Sequence, residues 1–423
     1  RGRVKMAEKL KKLGSSLKSL ITIPKAKIRK DKLVLYLSLT LVFFFALLIR
    51  IYPYFSYGAI LKAYDPYFQL KSTLYIITHG FSAWFNWIEK PPNISTWYPY
   101  GRNMPKTSFP GIPWTTATLY FILKFLGIEI DPTVLCFFFP AFMGALASIA
   151  MFFLAKEISD STKAGLLAAF FLAFVPGYVQ RTTAGFYDNE AIGILLIIAS
   201  LYFFIRSLKR ESILSGVTAG LVLGYLSASW GAYVYVYGLL AVYAFLLLIS
   251  RRYSRSLLLS YTTTISIGFL IATRVPRLGS AILTKTDLLP ALAMLVLLYI
   301  YEAAPIVYNS SIAKRIKEVK FPRRVLGYII LVALVIVSSV FAYLWYTGFP
   351  LIEVLEKYVK PISGKFWTVL NPFYREKARI IASVAEHAAT SWSEFYFNLH
   401  ILLFIYPLGI YFSFKRLRNE DIF

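Results

Sequence analysis

Residues 133–155 read TVLCFFFPAFMGALASIAMFFLA, an uninterrupted apolar run without a charged side chain. A helix needs about 20 such residues to cross the hydrocarbon core of a bilayer. The run therefore predicts a transmembrane helix. Runs of the same kind recur along the chain, and the uncharged stretch 212–250 is about twice as long as one crossing requires. The sequence thus predicts a membrane protein built from helices.

The composition agrees with a protein built for lipid. Of the 423 residues, 58% are hydrophobic and only 16% are charged, whereas soluble domains carry about 25% charged residues. Because Cys136 is the only cysteine, a disulfide framework and a cysteine metal site are excluded. With only three histidines, a metal would be held mainly by carboxylates, which suit Mg²⁺ or Mn²⁺ better than zinc.

Apolar runs separated by charged turns predict an all-α, polytopic transmembrane bundle with about ten spans. The predicted spans are 33–49, 133–155, 164–180, one that begins at Ala191, two within 212–250 with a turn near Trp230-Gly231, 256–272, one within 288–308, 325–346 and 395–414. Residues 114–128 are predicted to form an amphipathic helix at the membrane interface.

The basic residues orient the bundle. We place the Lys- and Arg-rich arm 1–32 in the cytoplasm, and alternation then brings the basic short loops to the same side, as the positive-inside rule requires. These loops are 156–163, 206–211, 251–255, 309–324 and 415–423. The net charge of +25 therefore reflects membrane topology, and we expect no nucleic-acid partner. One outer loop, 273–287, fits the rule poorly because it is basic.

The acidic clusters all fall in the large outer loops 53–132, 181–190 and 347–394. They are Asp65, the pair Asp188 and Glu190, and Glu386. Since the orientation rests on cations alone, their shared side is an independent observation. Neighbouring carboxylates stay ionised together only beside a cation, so a shared divalent metal is one interpretation. In the other, each acid is a solvated charge at a loop edge or caps the helix that follows, as Asp188 and Glu190 could do.

Two further residues near the acids allow two interpretations each. Arg181 could hold a phosphate through paired hydrogen bonds, or it could anchor the chain at the membrane interface. His387, which follows Glu386, could be a ligand or a hydrogen-bond partner, or an ordinary loop histidine.

Five segments, in the same order and with suitable spacing, resemble motifs of the catalytic subunit of oligosaccharyltransferase. They are Tyr64-Asp65-Pro66-Tyr67-Phe68, residues 181–190, Ala228-Ser229-Trp230-Gly231-Ala232-Tyr233, Gly364-Lys365-Phe366-Trp367 and residues 380–387. In the last segment Ala385 replaces the second serine of the family's Ser-Val-Ser-Glu motif. The resemblance runs from about residue 50 to the end of the chain.

The resemblance implies a GT-C glycosyltransferase fold and a glycan transferred en bloc. The donor would be a lipid-linked oligosaccharide on dolichyl phosphate or diphosphate, and the acceptor an Asn in an Asn-X-Ser/Thr sequon. It implies that Asp65, Asp188 and Glu190 hold Mn²⁺ or Mg²⁺ and that Asp65 and Glu386 bind the acceptor amide. Arg181, in the second motif, is a candidate catalytic residue for the donor phosphate. Motif neighbours are Asn189, Ser383, Val384, Ala385 and His387.

The resemblance also divides the chain into domains. Residues 1–32 are expected to be the cytoplasmic arm, and 33–423 the GT-C transmembrane catalytic domain. The family's C-terminal soluble domain, whose Trp-Trp-Asp-Tyr-Gly motif reads the sequon's Ser or Thr, is expected to be absent from this chain. We expect the archaeal plasma membrane, with the endoplasmic reticulum as the alternative, and an active site on the extracellular or lumenal side.

Two other functions stay open from the sequence. One is a different GT-C enzyme that uses a lipid-phosphate sugar. The other is a membrane transporter, which should carry paired charges or broken helices at the middle of the membrane. The acids lie at loop edges instead, which favours an enzyme. The glycan, the number of phosphates on the carrier and any accessory subunits are left undetermined.

Overall fold

The computed structural model describes residues 30–92, 94–308 and 391–422. Within those ranges the chain is helical and has no strand, apart from one isolated antiparallel bridge between Ile88 and Asn103. The α-helices are α1 (Lys30–Tyr57), α2 (Tyr64–His79), α3 (Met104–Thr107), α4 (Gly111–Phe125), α5 (Pro132–Ser159), α6 (Thr162–Phe174), α7 (Pro176–Gln180), α8 (Asn189–Arg210), α9 (Ile213–Ser229), α10 (Tyr233–Ile249), α11 (Arg255–Ala272), α12 (Leu289–Tyr308), α13 (Trp392–Leu399), α14 (Leu402–Arg416) and α15 (Asn419–Ile422). Short 3₁₀ helices cover Phe81–Asn86, Ser280–Thr284 and Thr286–Leu288.

The chain divides into two compact units, residues 1–41 and 42–423. Of the first unit the structure describes 30–41, the opening turns of α1, where Ser38 Oγ donates to the carbonyl of Val34. The second unit carries the rest of α1 and all the later helices.

Several helices are long and apolar enough to cross a membrane. Five described helices pass this test, namely 31–57, α5, α8, α11 and 286–303, and the bent pair α13 and α14 would make a sixth. Helices α6, α9 and α10 are apolar but shorter. By length and composition the described residues thus hold five or six spans, fewer than the roughly ten predicted from apolar runs. The predicted span 325–346 lies outside the described residues.

Interruptions within two predicted helices explain part of this difference in the number of spans. The predicted span 164–180 is interrupted at Val175, because Pro176 opens a separate helix, α7. The predicted span 395–414 breaks near His400, and the two halves meet at 84°. The turn predicted near Trp230-Gly231 is confirmed, since α9 ends at Ser229 and α10 begins at Tyr233.

The first outer loop contains more helix than its sequence indicates. The amphipathic helix predicted over 114–128 is present as α4, three residues or fewer from the predicted ends. Helix α2 was not predicted, because the residues it buries are largely polar or small, so no apolar stripe marks it. Its buried residues are Pro66, Gln69, Ser72, Thr73 and Ile76.

Helix α9 packs closely against α11 through a row of glycines. A Cβ atom added at Gly216, Gly220 or Gly224 would lie 2.2, 2.7 or 2.6 Å from the nearest atom of α11. Small residues four apart let membrane helices approach until their backbones touch, which replaces the hydrophobic driving force that lipid removes. The largest buried cluster, formed mainly by α8 to α12, surrounds this contact.

The fully buried Arg50 of α1 ties three parts of the chain together. Its Nε donates to Thr182 Oγ1 at 2.8 Å, and its Nη1 donates to the carbonyls of Ala46 and Ala173 at 2.9 and 2.8 Å. The guanidinium rests on α5 at Gly144, where no side chain intervenes. A buried cation in a membrane protein needs such partners, so Arg50 fixes the segment after α7 to α1 and α6.

We predict that Gly144→Ala destabilises the protein and that Gly238→Ala does not. A Cβ at Gly144 would lie 2.5 Å from Arg50 Nε and 2.9 Å from Thr182 Cβ, whereas nothing lies within 4 Å of the same atom at Gly238. Overpacking costs about 1–3 kcal/mol, and alanine in a helix gains up to about 1 kcal/mol over glycine. Thermal unfolding in detergent measures both effects. Equal unfolding temperatures for the two variants would contradict the role given to Arg50.

Candidate functional site

The three predicted site acids that the structure describes lie at the beginnings of two helices. Asp65 is exposed in the first turn of α2. Asp188 is the N-cap of α8, and its Oδ1 accepts from the backbone N–H of Asn189 at 2.7 Å. Glu190 lies in the first turn of the same helix. The capping interpretation of Asp188 is therefore confirmed, and it leaves the second carboxylate oxygen available.

Hydrogen bonds hold α2 against the segment that precedes α8. Gln69 Nε2 donates to Asn189 Oδ1 at 3.4 Å, and Thr73 Oγ1 lies 2.8 Å from the hydroxyl of Tyr187. The Tyr187 hydroxyl also donates to Thr116 Oγ1 of α4 at 2.7 Å. Because each bond joins residues far apart in sequence, the acidic ends of α2 and α8 are brought to one place by tertiary contacts.

The loop before Asp188 has its shape fixed at Gly185. The N–H of Gly185 donates to the carbonyl of Phe137, and its own carbonyl accepts from the N–H of Lys62, both at 2.9 Å. The residue has φ +88°, and a Cβ there would lie 2.6 Å from the carbonyl oxygen of Ile60. Only glycine fits this position, so the loop joins the chain just before α2 to the chain just before α8.

The electrostatics of the site centre on Asp188. Burial, and next the negative charges of Glu190 and Asp65, raise the pKa of this carboxyl to about 7, because the hydrogen bond from Asn189 and the charge of Arg181 oppose them only in part. Asp188 therefore holds its proton more tightly than an ordinary aspartate does. A divalent ion would relieve the repulsion of Asp188 by Glu190 and Asp65.

The described acids do not form a complete metal site by themselves. Among the residues that are described, no group of three or more His, Cys, Asp or Glu side chains is arranged to hold a metal ion. Asp65, Asp188 and Glu190 are coupled through their charges, and the chemistry of this donor set fits a hard divalent ion. The metal ligand set derived from the sequence therefore stays a prediction.

Arg181 has an acidic partner inside the site. Its Nη1 lies 3.7 Å from Glu190 Oε1, and its guanidinium lies over the ring of Phe186 at 5.4 Å. Its side chain is 41% exposed, so a ligand can reach it. The contact with Glu190 keeps Arg181 beside the acids, and its phosphate-binding role stays a prediction.

The remaining predicted site residues are outside the described part of the chain. They belong to the segment around Glu386 in the outer loop 347–394 and comprise Ser383, Val384, Ala385, Glu386 and His387.

Sequence reasoning missed two arginines that meet near Asp65. Arg102 Nη2 and Arg277 Nη1 both donate to the carbonyl oxygen of Thr107, at 3.1 and 2.9 Å. The Arg102 guanidinium lies over the rings of Phe68 and Trp97, at 4.8 and 4.7 Å. Arg277 comes from the outer loop 273–287, whose excess of cations was the signal that could have revealed it.

These two cations form a positive edge to the acidic site. The pKa of Arg102 is lowered by burial and by Arg277, against the opposing charges of Asp65 and Glu89. Arg102 and Asp65 are therefore close enough to interact. Within the described residues neither Arg102 nor Arg277 forms an ion pair with a carboxylate. Their remaining N–H groups can bind an anion.

Glu89 organises the loop that presents Arg102. Its carboxylate accepts from Lys71 Nζ at 2.6 Å, Ser95 Oγ at 2.7 Å and the N–H of Thr96 at 2.7 Å, and its own N–H donates to the Arg102 carbonyl at 2.9 Å. Burial raises the pKa of Glu89, but the bonds from Lys71, Thr96 and Ser95 outweigh it and hold the pKa at about 2. The ionised carboxylate therefore stabilises this loop.

Segment 228–233, one of the five motif-like segments, packs against α4 and α8. Its residue Ser229 contacts Gly111 at the start of α4, where a Cβ would lie 2.0 Å from Ser229 Oγ. Trp230 contacts Gly193 in the first turns of α8, where a Cβ would lie 2.4 Å from the indole. The turn between α9 and α10 therefore supports the helix that Asp188 caps.

We predict that Glu89→Gln lowers the stability of the loop that presents Arg102. Hydrogen bonds to a charged group contribute about 1.5–3 kcal/mol, and the amide loses most of this. Because the folded pKa is depressed, the contribution is present above the unfolded value of 4.5 and is lost as the pH falls towards about 2. Thermal unfolding between pH 3 and pH 7 measures this, with the exposed Glu129→Gln as control. Identical pH profiles for the two variants would refute the assignment.

Comparison with known proteins gives the same family along nearly the whole chain. The family model "Oligosaccharyl transferase STT3, N-terminal" matches residues 33–423. The chain is 33% identical over 420 residues to the STT3B subunit of dolichyl-diphosphooligosaccharide–protein glycosyltransferase of Oryza sativa subsp. japonica, covering 99% of this chain and 55% of that protein. The chain therefore spans about half the length of this curated relative.

Solved structures share the fold. The oligosaccharyltransferase AglB of Archaeoglobus fulgidus, in complex with an inhibitory peptide and a dolichol-phosphate, aligns with a TM-score of 0.61 at 18% identity, covering 93% of this chain and 46% of that one. The oligosaccharyltransferase of the same organism in complex with Zn and sulfate aligns with a TM-score of 0.58 at 18% identity, covering 91% and 44%.

Proposed function

The chain belongs to the STT3 oligosaccharyl transferase family, and on this premise we propose that it forms the membrane catalytic part, of GT-C type, of an oligosaccharyltransferase. The reaction is transfer of a glycan en bloc from a dolichyl phosphate or diphosphate donor to the Asn of an Asn-X-Ser/Thr sequon. The observation that supports the proposal is that tertiary contacts bring the start of α2, with Asp65, to the start of α8, with Asp188 and Glu190. Arg102 and Arg277 meet at Thr107 near Asp65.

The proposed substrates agree with the ligands named for the archaeal relative. That protein binds a dolichol-phosphate and an inhibitory peptide in one structure and Zn and sulfate in another. A lipid phosphate and a sulfate are both anions that arginine recognises, which supports a donor site at Arg181, Arg102 and Arg277. We propose that the divalent ion here is Mn²⁺ or Mg²⁺, because the available ligands are carboxylate oxygens.

The acids are assigned two tasks in the mechanism. Asp65, Asp188 and Glu190 would hold the divalent ion, which when bound stabilises the negative charge of the departing phosphate. Asp65 is exposed at the start of α2, so its carboxylate can also accept a hydrogen bond from an acceptor amide. Glu386 would accept from the second N–H of that amide.

This pair of hydrogen bonds addresses the weak nucleophilicity of an amide. The nitrogen lone pair is delocalised, and rotation about such a C–N bond costs about 18–20 kcal/mol in a peptide. Carboxylates on both N–H bonds favour the rotated amide. The nitrogen then bonds to the first carbon of the glycan, the bond from that carbon to the phosphate oxygen breaks, and the phosphate leaves with the electron pair while a carboxylate takes the amide proton.

The ends of α8 support an active site on the extracellular or lumenal side. The helix begins at Asp188 and ends with Lys209 and Arg210. At about 1.5 Å per residue its 22 residues cover roughly the thickness of the hydrocarbon core. Since basic ends face the cytoplasm, the acids face the opposite compartment. We propose the archaeal plasma membrane, with the endoplasmic reticulum membrane as the alternative.

We predict that Asp188→Asn abolishes most transfer while Asp131→Asn does not. Both aspartates are N-caps, Asp188 of α8 and Asp131 of α5, and asparagine caps a helix as well as aspartate does. Only Asp188 faces the other acids. The measurement is glycan transfer from a lipid-linked donor to an Asn-X-Thr peptide, with a Gln-X-Thr peptide as control, and we expect a loss of about 10²–10³ in rate. Full activity of Asp188→Asn would contradict the proposed role and leave Asp188 only its function as a helix cap.

We predict that Arg277→Gln raises the KM for the lipid-linked donor. Charge-assisted hydrogen bonds contribute about 1.5–3 kcal/mol, so the expected increase is about tenfold to a hundredfold, with the KM for the peptide unchanged. Arg274→Gln is the matched control, since Arg274 is an exposed cation of the same loop without the Thr107 contact. Donor KM values that change equally in the two variants would show a general charge effect, and the specific anion site would be wrong.

A further inference from the structure

A groove far from the acidic site opens on the surface of the bundle between α5, α8 and α9. It encloses about 470 Å³ and is lined mainly by apolar and small side chains, among them Ala150, Phe153, Ala199, Phe203 and Leu214. Its volume falls within the range of about 300–1,000 Å³ that is usual for pockets that bind small molecules. In a membrane protein an apolar groove of this kind is open to lipid chains.

One cation faces this groove. Arg206 of α8 lines it, and its Nη1 donates to the hydroxyl of Tyr202, another lining residue, at 2.6 Å. Of the neighbouring cations on the same helix, Lys209 pairs with Asp160 and Arg210 pairs with Glu157.

Arg206 therefore differs from the other cations of its helix. In the part of the chain that the structure describes, it has no carboxylate partner. A guanidinium at the edge of the hydrocarbon is costly unless an anion or water meets it.

The position of Arg206 along α8 matches the depth of a lipid headgroup. It lies four residues before the helix end at Arg210, which corresponds to about 6 Å. The basic end of α8 is the cytoplasmic end by the positive-inside rule. The cytoplasmic leaflet carries the anionic lipids, and basic pockets between transmembrane helices on this side bind their headgroups.

We propose that this groove binds an anionic phospholipid of the cytoplasmic leaflet. The phosphate accepts hydrogen bonds from Arg206 and Tyr202, and one hydrocarbon chain lies along α8 against Ala199 and Phe153. The site is separate from the transfer reaction and does not depend on it. A transmembrane helix of another subunit would fill the apolar part of the groove, but it would leave the guanidinium without an anion, so the charge favours a lipid.

The test is to count retained lipids on the purified protein. The full chain is reconstituted in nanodiscs of phosphatidylcholine with 30% phosphatidylglycerol, extracted into mild detergent and examined by native mass spectrometry. Four variants are compared with the wild type. Arg206→Gln removes the headgroup contact, Arg206→Lys keeps the charge, Ala199→Phe fills the groove, and Arg210→Gln removes an ion-paired cation from the same helix end as the matched control.

We expect the wild type and Arg210→Gln to retain phosphatidylglycerol in preference to phosphatidylcholine. Retention should fall at least fivefold in Arg206→Gln and in Ala199→Phe, and should be partly kept in Arg206→Lys, which also shows that position 206 tolerates substitution. Equal retention of the two lipids, or equal losses in Arg206→Gln and Arg210→Gln, would overturn the proposal. Displacement of the lipid by inorganic phosphate at millimolar concentration would overturn it as well, since the site would then bind a free anion.

Discussion

The buried guanidinium of Arg50 is the interaction on which the arrangement of the site depends. A cation inside a membrane protein must find all its partners within the protein, because lipid offers none. Arg50 Nε and Nη1 donate to Thr182 and to two backbone carbonyls, of Ala46 and Ala173, whereas its Nη2 has no hydrogen-bond partner among the described residues. The carbonyl of Arg50 accepts from the N–H of Ala184 at 2.8 Å. The segment that leads to Asp188 is thereby held on the helices that support it.

The same segment also brings the acidic residues close enough to interact through their charges. From Ala184 the chain passes through Gly185, which is bonded to α5 and to the residues before α2, and then to the cap of α8. Asp65 and Asp188 consequently influence each other although they are far apart in sequence. Burial, and next the negative charges of Glu190 and Asp65, raise the pKa of Asp188, and a cation bound beside these acids would favour their ionised forms.

Positive charge is distributed differently at the two ends of the bundle. At the acidic end, Arg102 and Arg277 both donate to the carbonyl oxygen of Thr107. Neither forms an ion pair with a carboxylate in the described residues, so both can bind an anionic ligand. At the basic end, Lys209 and Arg210 pair with Asp160 and Glu157, and in the described residues Arg206 is the one cation of that helix without a carboxylate partner. Balanced ion pairs of this kind fix loops to one another, whereas unbalanced guanidinium groups are available for recognition.

The sequence by itself determined the membrane character, the helical class, the family and the acidic residues. These depend on local properties, since an apolar run is long enough to span or it is not, and a motif such as Gly185 to Glu190 is read directly from the chain. Tertiary structure alone decided where the apolar helices break, that α2 is a helix with a polar buried face, and that Arg277 joins Arg102 at Thr107. The physical reason is that the burial of polar groups and the proximity of distant charges depend on which helices pack together. Hydropathy along the chain does not specify which helices those are.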